Sequence, residues 1–177
     1  MKITILGPQG SGKTTQAKLL ANWLNAPLID IGDLIRESCK VEADFNRQAC
    51  SLMKEGKLVP DEYASEILKL RLSMNDCRNG YVLDGYPRSI EQLYMYDPYV
   101  SNVFFINISD KTAVNRLRAR GRVDDTPEGI KNRLSWYHEK TSKVLDYYRG
   151  LGRLVEIDGE KDKEDVFNQI TSHMNAS

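Results

Sequence analysis

Four short runs of apolar and β-branched residues stand out from the mixed pattern of hydrophobic and polar positions along the chain. They cover residues 3–6, 81–83, 103–108 and 154–157, and a weaker run covers residues 27–30. Runs of this length without alternation are typical of strands that are buried on both faces of a parallel sheet. The pattern therefore predicts four buried strands and a weaker fifth.

Between these runs, apolar residues recur with the period of an α-helix. One series is Ala17, Leu20, Ala21 and Leu24, and a longer one is Ile130, Leu134, Tyr137, Thr141, Val144 and Tyr148. Helix starts are predicted at residues 60–62, where acids follow a proline, and at residues 126–128, where threonine precedes proline and glutamate. Strands alternating with helices predict an α/β fold built on a doubly wound parallel sheet.

A glycine-rich segment, GPQGSGKT at residues 7–14, follows the first predicted strand and matches the phosphate-loop (P-loop) pattern G-x-x-x-x-G-K-(S/T). Its glycines let backbone N–H groups turn toward a phosphate, and the start of the next helix adds partial positive charge. We expect ATP phosphates to bind Gly10, Ser11, Gly12, Lys13, Thr14 and Thr15. Either threonine hydroxyl could lie near Mg²⁺, and the sequence leaves that choice open.

Asp84 ends the apolar run at residues 81–83. In phosphate-loop folds, a carboxylate at this place holds Mg²⁺ or the water molecules bound to it. We expect Asp84 to contact Mg²⁺ through water.

Four segments carry a resemblance to a known family. Residues 84–88 (DGYPR), followed four positions later by Gln92, resemble the signature of adenylate kinases, and residues 32–36 (GDLIR) resemble the start of their monophosphate-site helix. Residues 56–61 (GKLVPD) resemble the segment that lines the acceptor base, and residues 122–125 (RVDD) with Arg133 resemble the lid motif. The resemblance extends over residues 1–170.

The resemblance implies direct in-line transfer of a phosphoryl group from MgATP to AMP, which yields two ADP. It implies that the catalytic charges are Lys13, Arg88, Arg122 and Arg133. Further ATP contacts would come from Arg116, Arg120 and Gly159. The implied AMP contacts are Ile31, Arg36, Lys57, Leu58, Val59, Gly85, Tyr86, Pro87, Arg88, Gln92, Arg122 and Arg133.

The family fold implies a five-stranded parallel core within one domain that spans residues 1–177. We expect the core to comprise residues 1–29, 60–118 and 126–177, the monophosphate-binding insert residues 30–59, and a very short lid residues 119–125. No cysteine lies in that lid, which predicts that there is no structural zinc. Ile31 stands where the family usually has a threonine that contacts the base, so we expect a weaker preference for adenine.

Composition narrows the partners. Lys plus Arg and Asp plus Glu both number 25, so no overall charge attracts nucleic acid or a membrane, and we expect a monomer. The three cysteines are widely spaced and odd in number, which predicts buried reduced thiols. Apolar stretches are too short for a signal peptide or a membrane span, and we therefore expect a cytoplasmic protein.

Two alternatives remain. A UMP/CMP kinase has the same fold, but pyrimidine-specific relatives usually carry asparagine where this chain has Gln92. A phosphate-loop ATPase that acts as a switch or assembly factor would need no monophosphate site. Arg36, Arg88 and Gln92 argue against such a switch.

Overall fold

A computed structural model of the chain describes residues 1–40, 47, 49–52, 59–122 and 125–175. Within these residues, one sheet contains five strands: β1 (Lys2–Leu6), β2 (Leu28–Asp30), β3 (Tyr81–Asp84), β4 (Asn102–Asn107) and β5 (Leu154–Asp158). The strands lie in the order β2-β3-β1-β4-β5, and each is parallel to its neighbours. The five-stranded parallel sheet predicted from sequence is confirmed.

Helices connect the strands. The bounds are α1 (Lys13–Leu24), α2 (Ile31–Ser38), α3 (Asp61–Leu72), α4 (Ile90–Met95), α5 (Asp110–Arg120), α6 (Pro127–Trp136), α7 (Ser142–Gly150) and α8 (Lys163–Asn175). A 3-10 turn covers Asn75–Cys77, and residues 49–52 are helical. A π-helical turn, Tyr137–Thr141, joins α6 to α7, so the long helical pattern predicted over residues 130–148 is one helical run with a local widening.

The side chains of the central strands pack alternately on the two faces of the sheet. Ile3 and Ile5 of β1 pack with α1 and α8 on one face, whereas Leu6 packs with α3 and α7 on the other. Both faces are covered, which explains why the strands appear in the sequence as continuous apolar runs. The polar exception, Thr4, is fully buried and donates its hydroxyl proton to the Tyr86 carbonyl oxygen at 2.7 Å.

The predicted helix starts are also confirmed. Thr126 accepts a hydrogen bond from the Gly129 N–H, with proline at the first position of α6. Helix α3 begins directly after Pro60 and carries two acids in its first turn. The cap of α2 is Asp30, whose carboxylate accepts from the Asp33 N–H at 3.1 Å. The last residue of β2 therefore also fixes the direction of α2.

The expectation of three reduced cysteines is wrong for two of them. Cys39 and Cys50 form a disulfide, and Cys77 is free and buried. Cys39 follows the last residue of α2, and its Cα lies 5.7 Å from that of Cys50 in the helical residues 49–52. A separation of 11 positions in the sequence does not reveal this proximity.

Two predicted segments fall partly outside the described residues. In the insert predicted at residues 30–59, positions 41–46, 48 and 53–58 are not described, and in the lid predicted at residues 119–125, positions 123–124 are not. Both boundaries stay predictions. In the described part of the chain, no helix has the length and apolar character that crossing a membrane requires.

Candidate functional site

The segments that follow β1, β2 and β3 meet at the carboxyl edge of the sheet, which is where open α/β folds bind their ligands. The loop after β1 is the phosphate loop. Gly10 and Gly12 adopt φ values of +86° and +87°, which L side chains rarely adopt. A Cβ at Gly10 would also lie 2.8 Å from the Ala113 carbonyl oxygen. Helix α1 begins at Lys13, so its positive end faces the loop.

Lys13 extends into a cleft at this edge, and its ammonium donates to the Pro8 carbonyl oxygen at 3.3 Å. Burial of the ammonium lowers the pKa of Lys13 to about 8, against the opposing effect of the Asp84 carboxylate. The charge is therefore held in a partly desolvated place, where it interacts strongly with a bound anion.

Asp84 is buried at the end of β3, and the Thr14 hydroxyl donates to its Oδ2 at 2.5 Å. Thr15 is exposed. The other carboxylate oxygen of Asp84, Oδ1, is buried and has no hydrogen-bond partner among the residues that the structure describes. Burial raises the pKa of Asp84, and the nearby Lys13 ammonium opposes this shift. This arrangement provides an oxygen ligand that can receive a hard cation or its water.

A second carboxylate, Asp30, lies beside Asp84 because β2 and β3 pair these two residues. Asp30 lines the same cleft. Sequence reasoning missed it, although the signal was present: Asp30 ends an apolar run in the same way as Asp84. The two positions at adjacent strand ends are equivalent in a parallel sheet.

Arg88 extends into the cleft from the loop after β3. Gly85 and Tyr86 of the same loop also line the cleft. Its guanidinium donates to the Gly85 carbonyl oxygen at 2.9 Å, and burial lowers its pKa from the usual value. The Thr141 hydroxyl, in the π-helical turn, donates to the Arg88 carbonyl oxygen at 3.0 Å. Pro87 lines a smaller adjoining pocket together with Thr141. The loop is thus fixed from both sides.

Gln92 lies on α4 at the wall of the cleft and is 4% exposed. Its amide oxygen accepts from the Arg88 backbone N–H at 2.7 Å, and its amide nitrogen donates to Asp61 Oδ1 at 2.8 Å. Ile31, at the start of α2, and Val59 add apolar wall to the same cleft. This combination gives an apolar surface with one neutral polar group.

Arg36 lies on α2, lines the cleft and is paired with Asp33 one turn earlier on the same helix. The pair is exposed, so Arg36 can exchange Asp33 for another anion at small cost.

Arg120, Arg122 and Arg133 also line the cleft. Asp125 binds two of them: Arg120 in a bidentate pair at 2.7 and 2.8 Å, and Arg133 at 2.8 Å. It also accepts from the Arg122 backbone N–H. Burial alone would raise the pKa of Asp125, but the hydrogen bonds from Arg120 and Arg133 outweigh it and lower the pKa to about 2. Asp125, whose side chain is 1% exposed, thus organises the arginines.

Arg116 and Gly159 lie together beyond the phosphate loop, where the Arg116 guanidinium donates to the Gly159 carbonyl oxygen at 3.0 Å. The Gly159 N–H donates to the Asn107 carbonyl oxygen at 2.9 Å. A Cβ at Gly159 would lie 2.5 Å from the Ile106 side chain. Gly159 therefore lets its loop pack closely on the end of β4.

Most of the predicted site residues meet in one cleft. Thirteen of them line it: Lys13, Thr14, Ile31, Arg36, Val59, Asp84, Gly85, Tyr86, Arg88, Gln92, Arg120, Arg122 and Arg133. Gly10, Ser11 and Gly12 belong to the neighbouring phosphate loop, and Thr15 lies in the first turn of α1. Lys57 and Leu58 lie outside the described residues. Six cationic and two acidic side chains are among the described lining residues, so the cleft suits a polyanion. The described residues contain no group of three or more His, Cys, Asp or Glu arranged to hold a metal ion.

Known proteins resemble this chain over most of its length. The sequence profile of the family Adenylate kinase matches residues 5–153. A protein named adenylate kinase from Bifidobacterium longum is 38% identical over 98% of this chain and 100% of the relative. An adenylate kinase from Prochlorococcus marinus is 39% identical over 97% and 95%, and adenylate kinase 1 from Nostoc is 34% identical over 96% of both chains.

Proposed function

Because the chain belongs to the adenylate kinase family, we propose that it transfers the terminal phosphoryl group of MgATP to AMP and forms two ADP, reversibly. The observation that carries this proposal is the convergence of six cationic side chains from separate segments on one cleft that also has an apolar, amide-bearing wall. An ATPase that acts only as a switch has no need of an apolar, amide-bearing wall for a second nucleotide base. The names of the relatives also do not favour a pyrimidine kinase or a switch.

The donor nucleotide would occupy the phosphate loop. Backbone N–H groups at Gly10, Ser11 and Gly12 would hold its phosphates, with the Lys13 ammonium at the transferring group. Arg120 would add charge on the far side, and Arg116 with Gly159 would lie against the base. The contact between Arg116 and Gly159 supports their grouping in one subsite.

Magnesium fits the residues present. Asp84 offers a buried carboxylate oxygen without a protein partner among the described residues, and the Thr14 hydroxyl is adjacent. We propose that the hydroxyl near Mg²⁺ is that of Thr14 and not that of Thr15, because Thr14 bonds to Asp84 whereas Thr15 is exposed. When bound with ATP, Mg²⁺ neutralises charge on the phosphates. Asp84 would contact it through water, and a structural zinc has no part in the proposal.

The acceptor would lie between α2 and the loop after β3. Arg36 and Arg88 would bind the phosphate of AMP, while Ile31, Val59 and Gln92 would surround the base. The roles of Lys57 and Leu58 stay predictions, because both lie outside the described residues. Gly85, Tyr86 and Pro87 would shape the floor, because they bring the backbone of Arg88 to the cleft.

Positioning and charge account for the reaction. The attacking phosphate oxygen of AMP is already ionised at neutral pH, so it needs orientation rather than deprotonation. Lys13, Arg88, Arg122 and Arg133 would stabilise the charge that spreads over the oxygens of the transferring group. Asp125 would limit the reorganisation of Arg133, because its carboxylate already pairs with that guanidinium.

The test is an assay of ATP consumption with AMP, UMP, CMP, GMP or dTMP as acceptor. We expect turnover to depend on added AMP and to give two ADP for each ATP consumed. ATP hydrolysis that does not need AMP would support the switch instead. A kcat/KM for UMP or CMP at or above that for AMP would support the pyrimidine kinase. Gln92→Asn should narrow the gap between AMP and the pyrimidines.

We also propose that the protein is a monomer and that it is located in the cytoplasm. The zero net charge supports independence from nucleic acid and membranes. Disulfides such as Cys39–Cys50 are uncommon in cytoplasmic proteins. Cell fractionation is therefore the direct test of the location. Light scattering of the purified protein tests the oligomeric state.

A further inference from the structure

The amide of Gln92 is held on both sides by the protein. Its oxygen accepts from the backbone N–H of Arg88 at 2.7 Å, and its nitrogen donates to Asp61 Oδ1 at 2.8 Å. The backbone of Gln92 is fixed as well: its N–H donates to the Ser89 hydroxyl, and its carbonyl oxygen accepts from the Tyr86 hydroxyl. What stays available on the side chain is one amide N–H and one lone pair of the amide oxygen.

The two partners dictate which end of the amide faces which way. A backbone N–H can only donate a hydrogen bond, and an ionised carboxylate can only accept one. Rotating the amide of Gln92 by half a turn would set its NH₂ group against the N–H of Arg88 and its oxygen against the carboxylate of Asp61. Both contacts would be repulsive, and two partly buried polar groups would lose their partners. The direction of the amide is therefore determined chemically.

Asp61 contacts Gln92 but does not itself line the described part of the cleft. It is the first residue of α3, whereas Gln92 is one of the described residues that line the cleft. A ligand in the cleft would thus contact Gln92, and Asp61 would act on the ligand through that side chain.

We propose that Asp61 is a positioning residue that fixes the donor–acceptor order of the Gln92 amide and thereby selects 6-aminopurine over 6-oxopurine monophosphates. The inference deepens the proposed function and rests on its assignment of the acceptor base to this wall.

The two classes of purine present opposite patterns at the edge in question. Adenine carries a donor at its 6-amino group and an acceptor at ring position 1, whereas hypoxanthine carries an acceptor at position 6 and a donor at position 1. With the acceptor phosphate held at Arg88, the ring cannot exchange these two positions. A locked amide pairs with adenine, and hypoxanthine would face it donor to donor and acceptor to acceptor.

The test compares the binding of AMP and inosine monophosphate, which differ only at this edge, by titration calorimetry. In Asp61→Asn the side chain keeps its size but can donate as well as accept, so one of the two locks on Gln92 is lost. We expect the preference for AMP over inosine monophosphate to fall about tenfold, the equivalent of one good hydrogen bond. The matched control is Glu62→Gln, which removes the same charge from the same helix turn at an exposed position and should leave the preference unchanged.

An unchanged preference in Asp61→Asn, or an equal fall in Glu62→Gln, would overturn the proposal. So would a parallel loss of affinity for both ligands, because a purely structural role of Asp61 predicts that result. Asp61→Ser, whose hydroxyl also donates and accepts, gives the same reading if the asparagine variant does not fold. Since binding is measured without turnover, absence of AMP phosphorylation by the wild type would refute the proposed function separately.

Discussion

The phosphate side and the base side of the cleft are built on different principles. On the phosphate side, Lys13, Arg88, Arg120 and Arg133 present positive charges, and a backbone loop between β1 and α1 presents N–H groups. On the base side, Ile31 and Val59 form an apolar wall beside the neutral amide of Gln92, whose direction depends on Asp61 and on the backbone of Arg88.

The difference shows how each side would discriminate. A charge attracts phosphate from any nucleotide, so the phosphate side supplies affinity and stabilises the transferring group without reading the base. An amide distinguishes bases only while its donor and acceptor keep their order. We therefore expect changes on the phosphate side to alter rates and overall affinity, and changes on the base side to alter selectivity.

The largest effect should come from Lys13→Met. Loss of a charge at the transferring group should lower kcat about 1,000-fold, which is typical for removal of one preorganised charge stabiliser. Because burial of the ammonium opposes folding, the ligand-free variant should melt no lower than the wild type in calorimetry. Lys18→Met, at an exposed position of α1, is the control. Activity within about threefold of wild type would refute the phosphate-loop assignment.

Arg88→Ala should separate the two substrates. We expect the KM for AMP to rise about 100-fold, since a charge-assisted guanidinium–phosphate contact is lost, while the KM for ATP changes less than about threefold. Steady-state kinetics with each substrate varied in turn provides the measurement, with the exposed Arg118→Ala as control. Equal effects on AMP and ATP would contradict the division between donor and acceptor subsites.

A smaller effect is expected for Thr141→Val. This change keeps the shape of the side chain but removes the hydroxyl that donates to the Arg88 carbonyl oxygen. Loss of one buried hydrogen bond should loosen the Arg88 loop and raise the KM for AMP about fivefold with little change for ATP. Thr171→Val, on α8, removes a hydroxyl that bonds only within its own helix in the described structure and should change neither KM. A KM for AMP unchanged by Thr141→Val would show that the π-helical turn does not support Arg88.

The smallest effect concerns pH. Burial lowers the pKa of Lys13 to about 8, so raising the pH through this value removes the positive charge and should weaken ATP binding to the free enzyme. The guanidinium that Lys13→Arg introduces stays charged over this range, so the ATP affinity of that variant should depend less on pH. Calorimetric titrations between pH 7 and pH 9.5 test this. The preference for AMP over CMP should not change over that range, because the amide of Gln92 does not titrate. A change in the preference for AMP over CMP with the same pH dependence as ATP binding would show that the phosphate side and the base side are coupled.

Much of the fold and of the phosphate side could be predicted because the signals are local. The apolar runs became the five strands, and residues 7–14 carry both the glycines and the lysine of the phosphate loop. The helix start at Thr126 was likewise visible, since a cap and its first turn are consecutive in the chain. Wherever structure depends on neighbours in sequence, the pattern of residues was enough.

Contacts between distant segments could not be predicted in this way. The pairing of Asp61 with Gln92 joins residues 31 positions apart, and Thr141 reaches Arg88 across 53. The same is true of the disulfide between Cys39 and Cys50, which were expected to be two thiols. It is also true of the hydrogen bond to Asp84, which comes from Thr14 and not from Thr15.

By itself, the sequence determined which chemical groups this protein has and the order in which strands and helices place them. Spacing specifies the phosphate loop, and the resemblance to adenylate kinases implies which arginines belong to the site and that the amide of Gln92 faces the base. Only the tertiary structure decided which of these groups bond to one another, because a hydrogen bond requires its atoms to come within about 3 Å, and packing sets that distance. The direction of the Gln92 amide and the order imposed by Asp125 on its arginines are therefore properties of the fold.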